Sequence, residues 1–146
     1  IHPDIVSTAK GLGGGLPIGA CLFGEKTENT LTPGTHGSTF GGSPAVCAGA
    51  LSILGRIDEA LLAQVRAKSE YLFSAFEGKP GIEQVSGLGL MIGLKTAKPA
   101  AEVVAKCMEQ GVLVLTAHGK VRLLPALNIP MELVKKAAEV IIAACA

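Results

Sequence analysis

The stretch Glu77-Gly78-Lys79-Pro80-Gly81 constrains the fold most, because one periodicity stops there and another begins. Upstream of it, apolar residues recur at helical spacing from Ala45 to Leu54, and again through Leu61, Leu62, Val65, Leu72 and Phe76. Gly78 and Pro80 fall just past the last turn, where a helix ends and does not resume. The spacing therefore predicts one long or kinked helix, entered at Ser43 as N-cap with Pro44 at the first helical position. Downstream, the pattern predicts short strands over 82–86 and 90–95, a helix from about 99 to 110, strands over 112–116 and 121–124, and a final helix from about 131. Ala101, Val104, Ala105 and Met108 supply the apolar stripe of the first of these helices. Val134, Ala138, Ile141 and Ile142 supply that of the second. A β-β-α-β-β-α order is expected to form a small sheet covered by helices on one face, an α+β arrangement.

The first third reads differently. "DIVSTAK" and "PIGACLF" are short, β-branched or apolar and bounded by Pro and Gly, which predicts strands over 3–8 and 17–23. No sheet partner for them is evident further along, so unpaired edges and apolar surface are expected. "TPGTHGSTFGG" is too rich in Gly, Thr and Ser for regular structure and is expected to be a loop. No repeat links this part to the rest. Because the chain starts at Ile1 and enters a strand almost at once, it is expected to be a fragment of a longer protein.

With 146 residues, 49% of them apolar, the chain has the length of one ordinary domain and enough apolar surface for a core. A net charge of +1, scattered cations and a 3% aromatic share argue against nucleic acid as a partner. No apolar run approaches the roughly 18 residues that span a bilayer, so no membrane association and a cytoplasmic location are expected. Cys21, Cys47, Cys107 and Cys145 form no C-x-x-C pair, so no metal site is expected. Cys21 in "GACLF" and Cys47 in "AVCAGA" read as small, reduced core residues.

Lys10 is the one chemically pointed residue of the first third. A phosphate loop carries its lysine after the glycines, whereas Lys10 precedes Gly11, Gly13, Gly14 and Gly15, and Leu16 occupies the last glycine position of a G-x-G-x-x-G pattern. Two readings remain. Lys10 is either a solvated lysine at a strand end or, as the near-absence of polar side chains in "GLGGGLPIGA" leads one to expect, a desolvated amine, which is a nucleophile suited to Schiff-base formation.

"STAKGLGGGLPIGA" resembles the cofactor-lysine segment of the subgroup III (omega-type) aminotransferases, and "LTPGTHGSTFGGSPAVCAGA" is similar to a second signature of that family, in the form of its acetylornithine type. "SGLGLMIGLK" and "KVRLLPALNI" resemble two signatures of the family's C-terminal domain. The resemblance is collinear over essentially the whole chain. It implies the C-terminal part of a pyridoxal 5′-phosphate-dependent α/β transferase fold: residues 1–55 as the tail of the large cofactor-binding domain, and 56–146 as the small α+β C-terminal domain.

By the same resemblance, Lys10 holds the cofactor and moves the proton in catalysis, while Thr39 and its neighbour Ser38 bind the cofactor phosphate across a homodimer interface, in an active site shared between subunits. Arg122 takes the substrate carboxylate, for which a planar guanidinium is better suited than an ammonium. His36 and His118 lie in turns and are read as backbone-bonded loop residues. The glycines after Lys10 serve close backbone packing. The implied reaction moves the terminal amino group of N-acetylornithine to 2-oxoglutarate, in arginine biosynthesis. Ornithine, succinylornithine or 4-aminobutyrate are the alternative donors, and a non-catalytic structural or dimerisation module is the alternative class. Two departures are visible: Ser43 stands where relatives usually carry Asn, and Leu88 where a polar or basic residue is commoner. The family's acidic partner of the cofactor ring cannot be mapped, which implies that this chain alone is inactive.

Overall fold

Alternation along the strands after residue 81 decides which side of the sheet is buried. The computed structural model describes residues 1–146 and divides into two compact units, Ile1–Asp58 and Glu59–Ala146. In the second unit, β3 (Ile82–Leu88), β4 (Met91–Thr96), β5 (Leu115–Ala117) and β6 (Lys120–Leu123) form one antiparallel sheet in the order β3-β4-β6-β5. Ile92, Leu94, Val121 and Leu123 point to the covered face and are buried. Against them lie α2 (Glu59–Phe76), α3 (Ala100–Glu109) and α4 (Met131–Cys145), which add Leu72, Phe76, Val103, Cys107 and Ile141 to a single core. The other face, with Ser86, Gly93, Arg122 and Leu115 in cross-strand register, carries no helix.

The expected α+β layer is present, with three differences in detail. The apolar run 45–76 is two helices, α1 (Pro44–Leu54) and α2, because the chain turns at Gly55, where the Gly55 amide closes back on the Leu51 carbonyl and the Arg56 amide on that of Ile53. The stripe of α3 is Ala100, Val103 and Cys107, with Val104 beside it; Ala101, Ala105 and Met108 are exposed. Both sets have helical spacing, and the core takes the one containing the β-branched Val103 and the small, apolar thiol of Cys107. The strand expected over 112–116 starts only at Leu115. In α4 the predicted Val134, Ala138 and Ile141 are buried, with Ile142 half-buried against the core.

In the first unit, β1 (Ile5–Thr8) pairs antiparallel with β2 (Ala20–Phe23) and with nothing else. The segment 24–43 that leads to α1 has no helix or strand. Ser43 precedes α1 as expected and accepts the Cys47 amide through its carbonyl, but its hydroxyl makes no cap. Only Gly13 and Ala50 of this unit are buried. Ile5 is 53% and Leu22 55% exposed, so the apolar faces of this hairpin have no covering layer. No helix of the chain is long and apolar enough to cross a membrane.

Candidate active site

Lys10 opens a 3-10 turn, Lys10–Gly13, directly after β1. Its φ of 54° places a side-chain-bearing residue in the left-handed region; His118 is the only other non-glycine residue so placed. A residue held there costs on the order of 1–3 kcal/mol and persists only where its surroundings impose it. The turn that follows it packs closely on α1. A Cβ on Gly49 of α1 would lie 2.8 Å from Leu16 Cδ1 and 3.3 Å from the Gly13 carbonyl, and one on Gly14 would lie 2.8 Å from Ile53 Cδ1. The turn is therefore seated on α1 by the absence of side chains at 14 and 49.

The amine of Lys10 makes no hydrogen bond or ion pair, and the residue is exposed. The expected desolvation is absent within this chain, because the apolar neighbours that suggested it belong to a two-stranded sheet without a second layer. Cys21 is likewise exposed and Cys47 half-buried, for the same reason; all four cysteines are free thiols.

Ser38 and Thr39 lie in the segment before α1, both exposed, and neither hydroxyl donates or accepts a bond within the chain. Their neighbours Thr32 and Thr35 instead satisfy one another, the Thr35 hydroxyl donating to the Thr32 carbonyl at 2.7 Å. No hydrogen bond joins Lys10 to Ser38 or Thr39.

Arg122 belongs to the second unit. It lies on β6 between buried Val121 and Leu123, opposite Gly93 and Leu115. Its Nε is buried without a hydrogen-bond partner. An unpaired buried donor costs about 1–3 kcal/mol, more when charged. It lines an open groove of about 560 Å³ with Ser86, Leu88, Met91, Gly93 and Ala117. Leu88, one of its lining residues, is 88% exposed.

Two features on the same unit escaped the sequence reading. Lys120 reaches across the sheet, its ammonium donating to Ser86 Oγ at 2.9 Å. The alternation of "KVRLL", which puts Lys120 and Arg122 on one face, is the signal that could have revealed it. Lys68, buried on α2, donates to the Leu127 carbonyl at 2.8 Å. No sequence signal marks that bond, which spans 59 residues. His118 sits in the turn between β5 and β6 with φ 49°, and His36 is exposed in the loop.

The aminotransferase class-III family model matches residues 1–145. Among curated proteins, the acetylornithine aminotransferase of Haemophilus ducreyi is 45% identical over 143 residues, covering 97% of this chain and 36% of that protein. The Streptomyces coelicolor acetylornithine aminotransferase is 44% identical over 140 residues, covering 92% and 35%. Among solved structures, an ornithine aminotransferase from Toxoplasma gondii, described with partial occupancy of PLP at its active site, superposes with a TM-score of 0.88 at 33% identity over 99% of this chain and 37% of that one. The N-acetylornithine aminotransferase of Stenotrophomonas maltophilia gives 0.83 at 33% identity, over 99% and 40%. The chain thus spans little more than a third of the length of these relatives. With the family model matched from end to end and the fold shared, the chain belongs to the class-III aminotransferases.

Proposed function

We propose that this chain supplies the cofactor lysine and the carboxylate-binding arginine of a pyridoxal 5′-phosphate-dependent aminotransferase that moves the terminal amino group of N-acetylornithine to 2-oxoglutarate, as a cytoplasmic step of arginine biosynthesis. The observation that carries the reading is Lys10: an unpaired amine held at φ 54° on a turn seated against α1, inside the segment matched by the family. The acetylornithine assignment of the donor is supported by the names of the relatives at 44–45% identity.

The residues present fit the cofactor. Lys10 offers an unengaged amine for its aldehyde, and Ser38 and Thr39 offer free hydroxyls to its phosphate. Pyridoxal phosphate, when bound, supplies the electron sink for carbanion character at the substrate carbon. Lys10 Nζ, once released, takes the proton from the amine-bearing carbon of the donor, as a positioned general base. Arg122 binds the substrate carboxylate through paired N–H donors. Residues 1–55 form the tail of the large cofactor domain and 56–146 the small domain, in a homodimer whose active site Thr39 completes from the neighbouring subunit.

A full-length enzyme carrying this sequence, assayed with 2-oxoglutarate as acceptor, is expected to have its highest kcat/KM with N-acetylornithine among N-acetylornithine, ornithine, succinylornithine and 4-aminobutyrate. A higher value for any other donor overturns the substrate assignment, and no turnover with any of the four overturns the catalytic reading.

A further inference from the structure

Lys68 is the one charged residue of the chain that is buried, on α2, and it belongs to no ion pair. Taking an ammonium out of water costs free energy that a neighbouring carboxylate would offset. Here the one bond it makes is to the Leu127 carbonyl, at 2.8 Å. Leu127 lies in the segment that leaves β6 directly after Arg122 and Leu123.

The ladder around Arg122 gives that segment its importance. β5 pairs with β6 from Ala117↔Lys120 to Leu115↔Arg122 and no further, so Arg122 occupies the last rung. On the other side, β4 pairs through Gly93↔Arg122 and Ile92↔Leu123 and then stops. Beyond it, residues 124–129 form no helix or strand, and their one main-chain bond, from the Ile129 amide to the Ala126 carbonyl, is internal. Packing adds little. None of residues 124–128 is buried, and Leu124, Pro125 and Ile129 border an open cavity of about 670 Å³. The bond from Lys68 is therefore the one hydrogen bond that ties this segment to another element. Rungs at the end of a ladder open more readily than those inside it, and a loose segment lets that opening reach the rung it adjoins.

We infer that Lys68 is a positioning residue for Arg122: by holding the Leu127 carbonyl it keeps the end of β6 paired, and so keeps the guanidinium in the place where it binds the substrate carboxylate. Lys68 touches neither substrate nor cofactor in this role. The inference rests on Arg122 being the carboxylate residue. Misplacing a binding group by a fraction of its bond length weakens every complex that uses it, so the loss falls on substrate affinity and leaves the proton transfer by Lys10 unchanged.

Steady-state kinetics of the full-length enzyme carrying this sequence, with N-acetylornithine and 2-oxoglutarate, test it. Lys68→Met keeps the buried stem and removes the donor. It is expected to raise both KM values roughly threefold to tenfold, with kcat within about twofold of wild type. Lys68→Arg, which keeps a cationic donor, should hold both KM values within about twofold. Val103→Ala, in the buried core on α3, serves as a control for lost stability and should lower the melting temperature with KM unchanged. Unchanged KM values in Lys68→Met, a KM rise in Val103→Ala equal to that in Lys68→Met, or a Lys68→Arg variant as impaired as Lys68→Met would overturn the inference and leave Lys68 a brace for stability alone. Arg122→Gln should raise both KM values further than Lys68→Met does. Unchanged KM values in that variant overturn the Arg122 reading itself, whatever Lys68→Met shows.

Discussion

Lys68 shows how a single side chain can organise a turn remote in sequence. At 4% exposure its stem is buried on α2, and its ammonium satisfies the Leu127 carbonyl in the segment between β6 and α4. Lys68→Ala removes both packing and the bond, and is expected to lower unfolding stability by about 2 kcal/mol in a urea titration. Lys68→Met, which keeps the stem, should cost less; equal losses in the two variants would show that packing contributes nothing. Residues whose neighbours follow from strand alternation were legible in the sequence, as Arg122 was between Val121 and Leu123. Residues whose surroundings come from a second layer were not. Lys10 and Cys21 sit among apolar letters, yet both are exposed, because hydrophobic neighbours in sequence bury nothing unless another element packs on them.

Among the elements, α3 and α4 pack together with two thiols between them and the sheet. Cys145 is 1% exposed, and burial pushes its thiol up to about 11 from an ordinary value near 9, with Cys107 adding to the rise and Lys98 opposing it. Burial pushes Cys107 up as well. The sign follows from linkage. Between pH 9 and 11 the unfolded chain loses the proton while the folded one keeps it, so stability present below pH 9 is lost as the pH rises. Urea midpoints are expected to fall over this window by the equivalent of about 2 kcal/mol for Cys145, and Cys145→Ala should fall less steeply. Parallel slopes for the two proteins would contradict the assignment. Element types were legible from periodicity, whereas phase and breaks were less so. Apolar spacing continues through Leu54, Ile57 and Leu61 although the helix stops at Leu54, and two interleaved stripes on α3 satisfy the same spacing.

At the scale of the whole molecule, the two units differ in what they bury. Glu59–Ala146 has a continuous core from three helices and four strands, while Ile1–Asp58 buries only Gly13 and Ala50. Amide exchange of the 146-residue chain is expected to show slow protons on β4, β6, α3 and α4 and fast exchange throughout β1 and β2. Slow exchange in the β1–β2 hairpin would mean that another surface covers it. The central claim, that this chain carries the cofactor lysine, is tested most directly by mixing it with pyridoxal phosphate, reducing with borohydride and mapping the adduct by peptide mass spectrometry. A stoichiometric adduct at Lys10, lost in Lys10→Ala, is predicted; adducts spread over several lysines and unchanged in that variant would contradict it.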